Sequence, residues 1–168
     1  MARLIQQKST YRAAGSGFGL VATATDVSCI FGSATKTVKV LRCIITGIQT
    51  TSGLINVFVI KRSTANTLGT STALTAVPLD STSPAATATN ILTYTANPTT
   101  GTTVGTIDIA RVYFAASTST SDRCVFDFTN TDGQPVTLIG TAQGLCINLN
   151  SITVTGGNMT VVWEWTEE

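Results

Sequence analysis

Across residues 159–166 the chain steps in twos: Met159, Val161, Trp163 and Trp165 fall on one side of an extended backbone, and Thr160, Val162, Glu164 and Thr166 on the other. A helix could not gather those apolar residues on one face, because helical neighbours recur every three or four positions. The segment is a strand with one face turned to a core. Similar signals recur at 37–49, 54–62, 104–116, 124–129, 135–139 and 145–150, and no segment carries a convincing amphipathic helical pattern. Threonine occupies 33 of the 168 positions, Val, Ile, Ala and Ser are abundant, and only 11% of residues are charged. β-Branched side chains lose rotamer freedom in helices and pack well on a pleated sheet. Together these features predict an all-β fold, an antiparallel β-sandwich of jelly-roll type.

Residues 1–20 read as an extended N-terminal arm carrying Arg3, Lys8 and Arg12 and ending in a hinge, Gly15-Ser16-Gly17-Phe18-Gly19, ahead of a single domain over 21–168. Those glycines lack the G-x-G-x-x-G spacing and the strand-then-helix context of a dinucleotide loop. Segments 37–49 and 54–62, joined at Thr50-Thr51-Ser52-Gly53, predict a long hairpin. Asn130-Thr131-Asp132-Gly133 predicts a turn between 124–129 and 135–139. Between them, residues 63–103 form an irregular excursion, polar but charged only at Asp80 and punctuated by Pro78, Pro84 and Pro98. Plain loop of that length is unusual in a compact domain. Short strands are expected within it at 73–77 and 90–95, on the surface.

The chain contains no histidine, which removes Ser-His-Asp and Cys-His sites, the H-E-x-x-H zinc motif and imidazole acid-base chemistry. Its nine acids are scattered, so no carboxylate pair stands out. Cys29, Cys43, Cys124 and Cys146 include no C-x-x-C pair, and all four are expected as buried thiols rather than metal ligands or disulfides. An EF-hand alignment at 128–139 fails because Phe128 and Ile139 stand where carboxylates are needed. No catalytic residue, cofactor site or metal site is predicted. No apolar run is long enough to span a bilayer and the N-terminus lacks a secretory apolar segment, so an unprocessed chain made in the cytoplasm is expected, with no membrane partner. With a net charge of +1 and no basic run interleaved with aromatics, no specific nucleic-acid partner is expected. That total hides an asymmetry. Up to Arg62 there are eight Lys and Arg against Asp26 alone, a net of +7; beyond it Arg111 and Arg123 face eight acids, a net of −6. Either the fold brings these charges together, or one end of a subunit meets an opposite end or an acidic partner.

Residues 60–66, IKRSTAN, with the continuation GTSTALTAVPLDSTSPAATATNILTYTANPTTGTTVGTI and the terminal Glu164-Trp165-Thr166-Glu167-Glu168, resemble small β-rich virion structural proteins of tailed bacteriophages, closest to capsid decoration or cement proteins. The resemblance implies a non-enzymatic subunit made in the host cytoplasm, placed on the virion head surface, bound to the major capsid protein and self-associating as a homotrimer. It carries over no catalytic or ligand residue. The partner contacts expected on this reading are Arg3, Lys8, Tyr11 and Arg12 of the arm, with the 63–103 excursion, and deletion of residues 1–17 is expected to leave a folded sandwich. An alternative is a tail-associated or receptor- or carbohydrate-binding sandwich, which needs exposed aromatics among Tyr94, Tyr113, Trp163 and Trp165. A surface adhesin domain is a third reading, against which the missing secretory segment counts.

Overall fold

The computed structural model describes residues 8–116, 119–129 and 134–168. Among them there is no helix. Twelve strands follow one another: β1 (Ser9–Gly19), β2 (Thr23–Phe31), β3 (Val38–Gln49), β4 (Gly53–Arg62), β5 (Ser71–Ala73), β6 (Ala76–Pro78), β7 (Thr89–Tyr94), β8 (Thr103–Ala116), β9 (Cys124–Asp127), β10 (Val136–Leu138), β11 (Gly144–Thr153) and β12 (Asn158–Glu167). One layer runs β6-β1-β12-β3, the other β5-β7-β2-β11-β4-β8. All pairings are antiparallel except a short parallel contact where Ile48 and Gln49 of β3 meet Ala115 and Ala116 of β8. That contact joins the layers into one curled mixed sheet, so the all-β, sandwich-like expectation holds.

The core lies between the layers. Trp163, Trp165, Val161 and Met159 of β12 point into it as the two-step pattern requires, facing Val57 and Val59 of β4 and Ile147 of β11 in the same buried cluster. Trp163 Nε1 donates to Ser28 Oγ of β2 across the layers at 2.9 Å, which satisfies a polar atom that burial would otherwise leave unpaired. In β3 the inward positions change parity, from Val38 and Val40 to Cys43 and Ile45. A bulge is responsible: Arg42 lies opposite Glu164 and Val40 opposite Trp165, so one extra residue re-phases the strand.

Three expectations about chain path are corrected. β3 and β4 are not a hairpin, since β3 pairs with β12 and β4 with β8 and β11; residues 50–53 carry the chain from one layer to the other. Both strands are rich in apolar residues and serve the core better face to face than side by side. β9 and β10 are not a hairpin either, for both add to β3 in succession, Cys124 opposite Ile45 and Leu138 opposite Val38. Residues 130–133, where the turn was expected, lie outside the described residues. Third, residues 9–19 are not an arm. They form β1 between β12 and β6, with Tyr11 and Ala13 buried, and Gly17 sits at φ 64° in a register shift between Gly15 and Phe18, a bulge rather than a hinge. Removing residues 1–17 therefore takes away a core strand.

The 63–103 excursion is more than surface. Its ends are tied where Ser63 N–H donates to the Thr102 carbonyl at 2.9 Å and Thr67 pairs with Thr99. Its body supplies β5 and β7 to β2 and β6 to β1, closing one side of both layers, while Leu74, Ala76, Ala86 and Ala88 pack on the core.

Gly47 of β3 packs directly on Phe114 of β8, and an added Cβ there would collide with the Phe114 ring. Phe114 is fully buried and has no room to withdraw. Gly47→Ala is expected to cost about 1–3 kcal/mol, read as a lower midpoint in urea unfolding with an unchanged slope.

Candidate functional site

β12 lies between β1 and β3, so the acidic C-terminus is flanked on both sides by basic strands. At one level Arg12 of β1, Glu164 of β12, Arg42 of β3 and Asp127 of β9 stand in register, a row of alternating charge across four strands. Arg12 Nε and Nη2 both lie 2.5 Å from Glu164 Oε2, and Arg42 Nε lies 3.4 Å from Oε1. Hydrogen bonds from the Thr129 side chain and backbone, with a smaller contribution from Arg42, hold Asp127 below the usual carboxylate range. One level on, Glu168 pairs with Lys8 and with Lys39, the latter at 2.7 Å. Desolvation and the neighbouring Lys8 lower the Lys39 pKa.

Glu167 closes this seam onto the excursion. Its side chain is wholly buried and accepts hydrogen bonds from the Thr87 amide at 2.8 and 2.9 Å, Thr87 Oγ1 at 2.7 Å, the Ala88 amide at 2.8 Å and Trp165 Nε1 at 3.0 Å, with Lys36 Nζ at 3.5 Å. Burial pushes its pKa up, but the hydrogen bonds from Trp165, Ala88 and Thr87 together outweigh burial and hold it below the ordinary value.

A second buried cluster sits in the other layer. Asp26 of β2 receives Arg62 in a two-point contact at 2.7 and 3.2 Å, Asn148 Nδ2 at 2.6 Å and Asn66 Nδ2 at 2.9 Å. Beside it Cys29 and Cys146 lie directly opposite each other in the β2–β11 register, Cα atoms 4.1 Å apart, and form a disulfide. This corrects the expectation of four thiols; Cys43 and Cys124 remain free. Cross-strand register, invisible in spacing 117 residues apart, is what pairs them. Asp26, Cys29 and Cys146 lie close enough to be considered as a metal cluster. The chemistry argues against it: both sulfurs are in the disulfide, and the carboxylate is already committed to a guanidinium and two amides.

Of the four expected contacts, Arg3 lies outside the described residues. Tyr11 is buried, its ring stacked on Trp165 at 5.7 Å and its hydroxyl donating to the Pro84 carbonyl at 3.0 Å, so it cannot meet a partner. Arg12 and Lys8 keep exposed flanks but are ion-paired to the C-terminal acids. Lys8 borders a shallow open depression with Thr10, Leu79, Asp80 and Ser83. The sugar-stacking candidates fare similarly: Trp163, Trp165 and Tyr94 are buried, and only Tyr113 is partly exposed. Glu167, the most densely bonded acid, was not singled out by the sequence; its neighbour Glu164 on the outward face of an alternating strand was the nearest signal.

Because Glu167 is held below its unfolded pKa, its contribution to stability is present above about pH 4.5 and lost as pH falls through the lower folded value. Glu167→Gln is expected to cost about 2–4 kcal/mol at pH 7 and to flatten the acid limb of the stability–pH curve, measured by urea unfolding across pH. Alkylation under denaturing, non-reducing conditions should label two cysteines, Cys43 and Cys124, leaving Cys29 and Cys146 linked. Replacing both linked cysteines with alanine should cost up to about 4–5 kcal/mol, since the bridge closes a long loop. No protein-family model, curated protein or solved structure matches the chain.

Proposed function

We propose that the chain is a non-enzymatic virion structural protein, a decoration or cement subunit that binds the major capsid protein on the head surface. The observation that carries this reading is how the buried and half-buried charges are used. Asp26, Glu164, Glu167 and Glu168 are each engaged by cations of the same chain, so the strongest electrostatics are spent on holding the fold. What faces outward among the described residues is largely threonine and serine, with aliphatic side chains such as Leu68, Leu79 and Ile139, suited to broad contact rather than to a reaction centre. A sandwich in which Lys8 pairs with Glu168 and a disulfide bridges β2 and β11 suits a protein that must persist outside a cell. The resemblance of about residues 58–107 and the last dozen residues to phage virion proteins agrees with it.

The capsid contacts of this proposal are Arg3 and exposed Lys8, the latter beside the depression at Leu79 and Asp80. Imaging of the particle that carries the chain tests the reading: density on the head lattice supports it, and a tail location transfers the protein to the tail-associated alternative. Arg3→Glu is expected to lower head occupancy. Deleting residues 1–17 should abolish folding, because it removes buried Tyr11 and leaves β12 paired on one side only, to β3. Full head occupancy by Arg3→Glu would sink this contact.

A further inference from the structure

The excursion covers one side of the sandwich; the other side ends in β8. β8 pairs with β4 along its length, from Thr103 opposite Arg62 to Phe114 opposite Gly53, but meets β3 only at Ala115 and Ala116. Among the described residues nothing else pairs with its free edge between Thr103 and Val112. Val104, Ile107 and Ile109 on this stretch are 61%, 44% and 56% exposed. The other outer strands, β5, β6, β9 and β10, have three or four residues each, the usual way of keeping an edge harmless.

Hydrogen bonds at the lower end show which groups face outward. Tyr113 turns its amide and carbonyl away from β4, where the Asp122 side chain accepts from Tyr113 N–H at 3.4 Å and Asp122 N–H donates to the Tyr113 carbonyl at 3.3 Å. The β4–β8 register is regular from Phe114 to Asp108, so Arg111 and Ile109 turn theirs the same way. The Ile109 amide is held by its neighbour Asp108 Oδ1 at 2.7 Å. No group of the described chain meets the Arg111 amide or carbonyl on that side.

We propose that this edge pairs with the same edge of a second copy, antiparallel and symmetric about Ala110, extending the β2-β11-β4-β8 layer across a two-fold axis. Charge selects the register. Centring on Asp108 or on Arg111 would place like charges directly opposite each other, which is unfavourable. Centring on Ile109 would set Arg111 against the irregular turn of the strand at Ile107, where the register with β4 shifts. Centring on Ala110 sets Ile109 opposite Arg111 of the second copy and Asp108 opposite Val112. Ile109 and Arg111 then exchange N–H···O=C bonds, the Asp108 carboxylate giving way to a carbonyl. The Arg111 stem covers exposed Ile109. An antiparallel copy also brings the acidic end of this short segment alongside the basic end of its mate, so a strand of the same sequence fits better than a uniformly basic or acidic one. The contact builds pairs, not the trimer that the phage resemblance implies, and it does not depend on the virion reading.

Sedimentation velocity of the full chain from low to high micromolar concentration tests it. The expected result is a reversible dimer, weakened about tenfold or more by Ile109→Lys, which sets a second cation beside Arg111, and by Arg111→Pro, which removes an amide that β4 does not use. Circular dichroism establishes that each variant is folded. Should either fail to fold, Ala110→Cys provides the second measurement: mild oxidation should link two copies through position 110. A monomer at all concentrations, a trimer, a dimer indifferent to folded Ile109→Lys and Arg111→Pro, or no 110–110 link overturns the proposal.

Discussion

Everything in this fold leans on the placement of the last strand between the first and the third. β12 carries the two tryptophans that fill the core on one face and Glu164 on the other, and its C-terminal Glu167 reaches the excursion. With β1 on one edge and β3 on the other, the chain's two ends are adjacent strands of one layer. Closing the ends of a long chain against each other has a large entropic cost, and it is offset here by several kinds of contact acting at once: ladder hydrogen bonds, the Tyr11–Trp165 stack and the ion-pair rows.

That arrangement also explains the charge asymmetry. Eight cations precede residue 63 and eight acids follow it, and antiparallel pairing of the two ends converts that separation into neighbours. Lys8, Arg12, Lys36, Lys39 and Arg42 all meet Glu164, Glu167 or Glu168. The exposed members of these pairs add little individually. The buried carboxylates matter more, because each would be costly to leave unpaired. The charges specify which strand lies beside which, as much as how stable the result is.

The existence of most strands was legible from β-branched and apolar residues, and where a strand is half-buried, as in 159–166, it writes its two-step period directly into the residues. Pairing was not. The reversal at Thr50-Thr51-Ser52-Gly53 says that the chain turns and is silent on whether the strands that follow lie side by side or face to face across a core. The N-terminal segment looked like an arm because Gly15 and Gly17 interrupt its pattern, yet they only accommodate a bulge in a buried strand. Cys29 and Cys146 looked like isolated thiols because their proximity is made by register alone. Each of these misreadings concerns a long-range relation, the property a local pattern does not encode.

The same logic locates where this protein can meet others. A sandwich of two open layers has edges to dispose of, and the excursion between β4 and β8 disposes of them on one side, wrapping β7 and β5 onto β2 and β6 onto β1. Its own ends are zipped together at Ser63 and Thr102, directly beyond the β4–β8 pair, so it leaves from and returns to the side it does not cover. β8 is therefore the strand the excursion cannot reach. Asp108 and Asp122 each hold one amide of that edge, a partial guard that leaves Arg111 between them with an unused donor and acceptor. An edge guarded by two carboxylates resists indiscriminate strand addition, while an incoming strand that brings carbonyls to the same amides, in the register its charges allow, can still displace them.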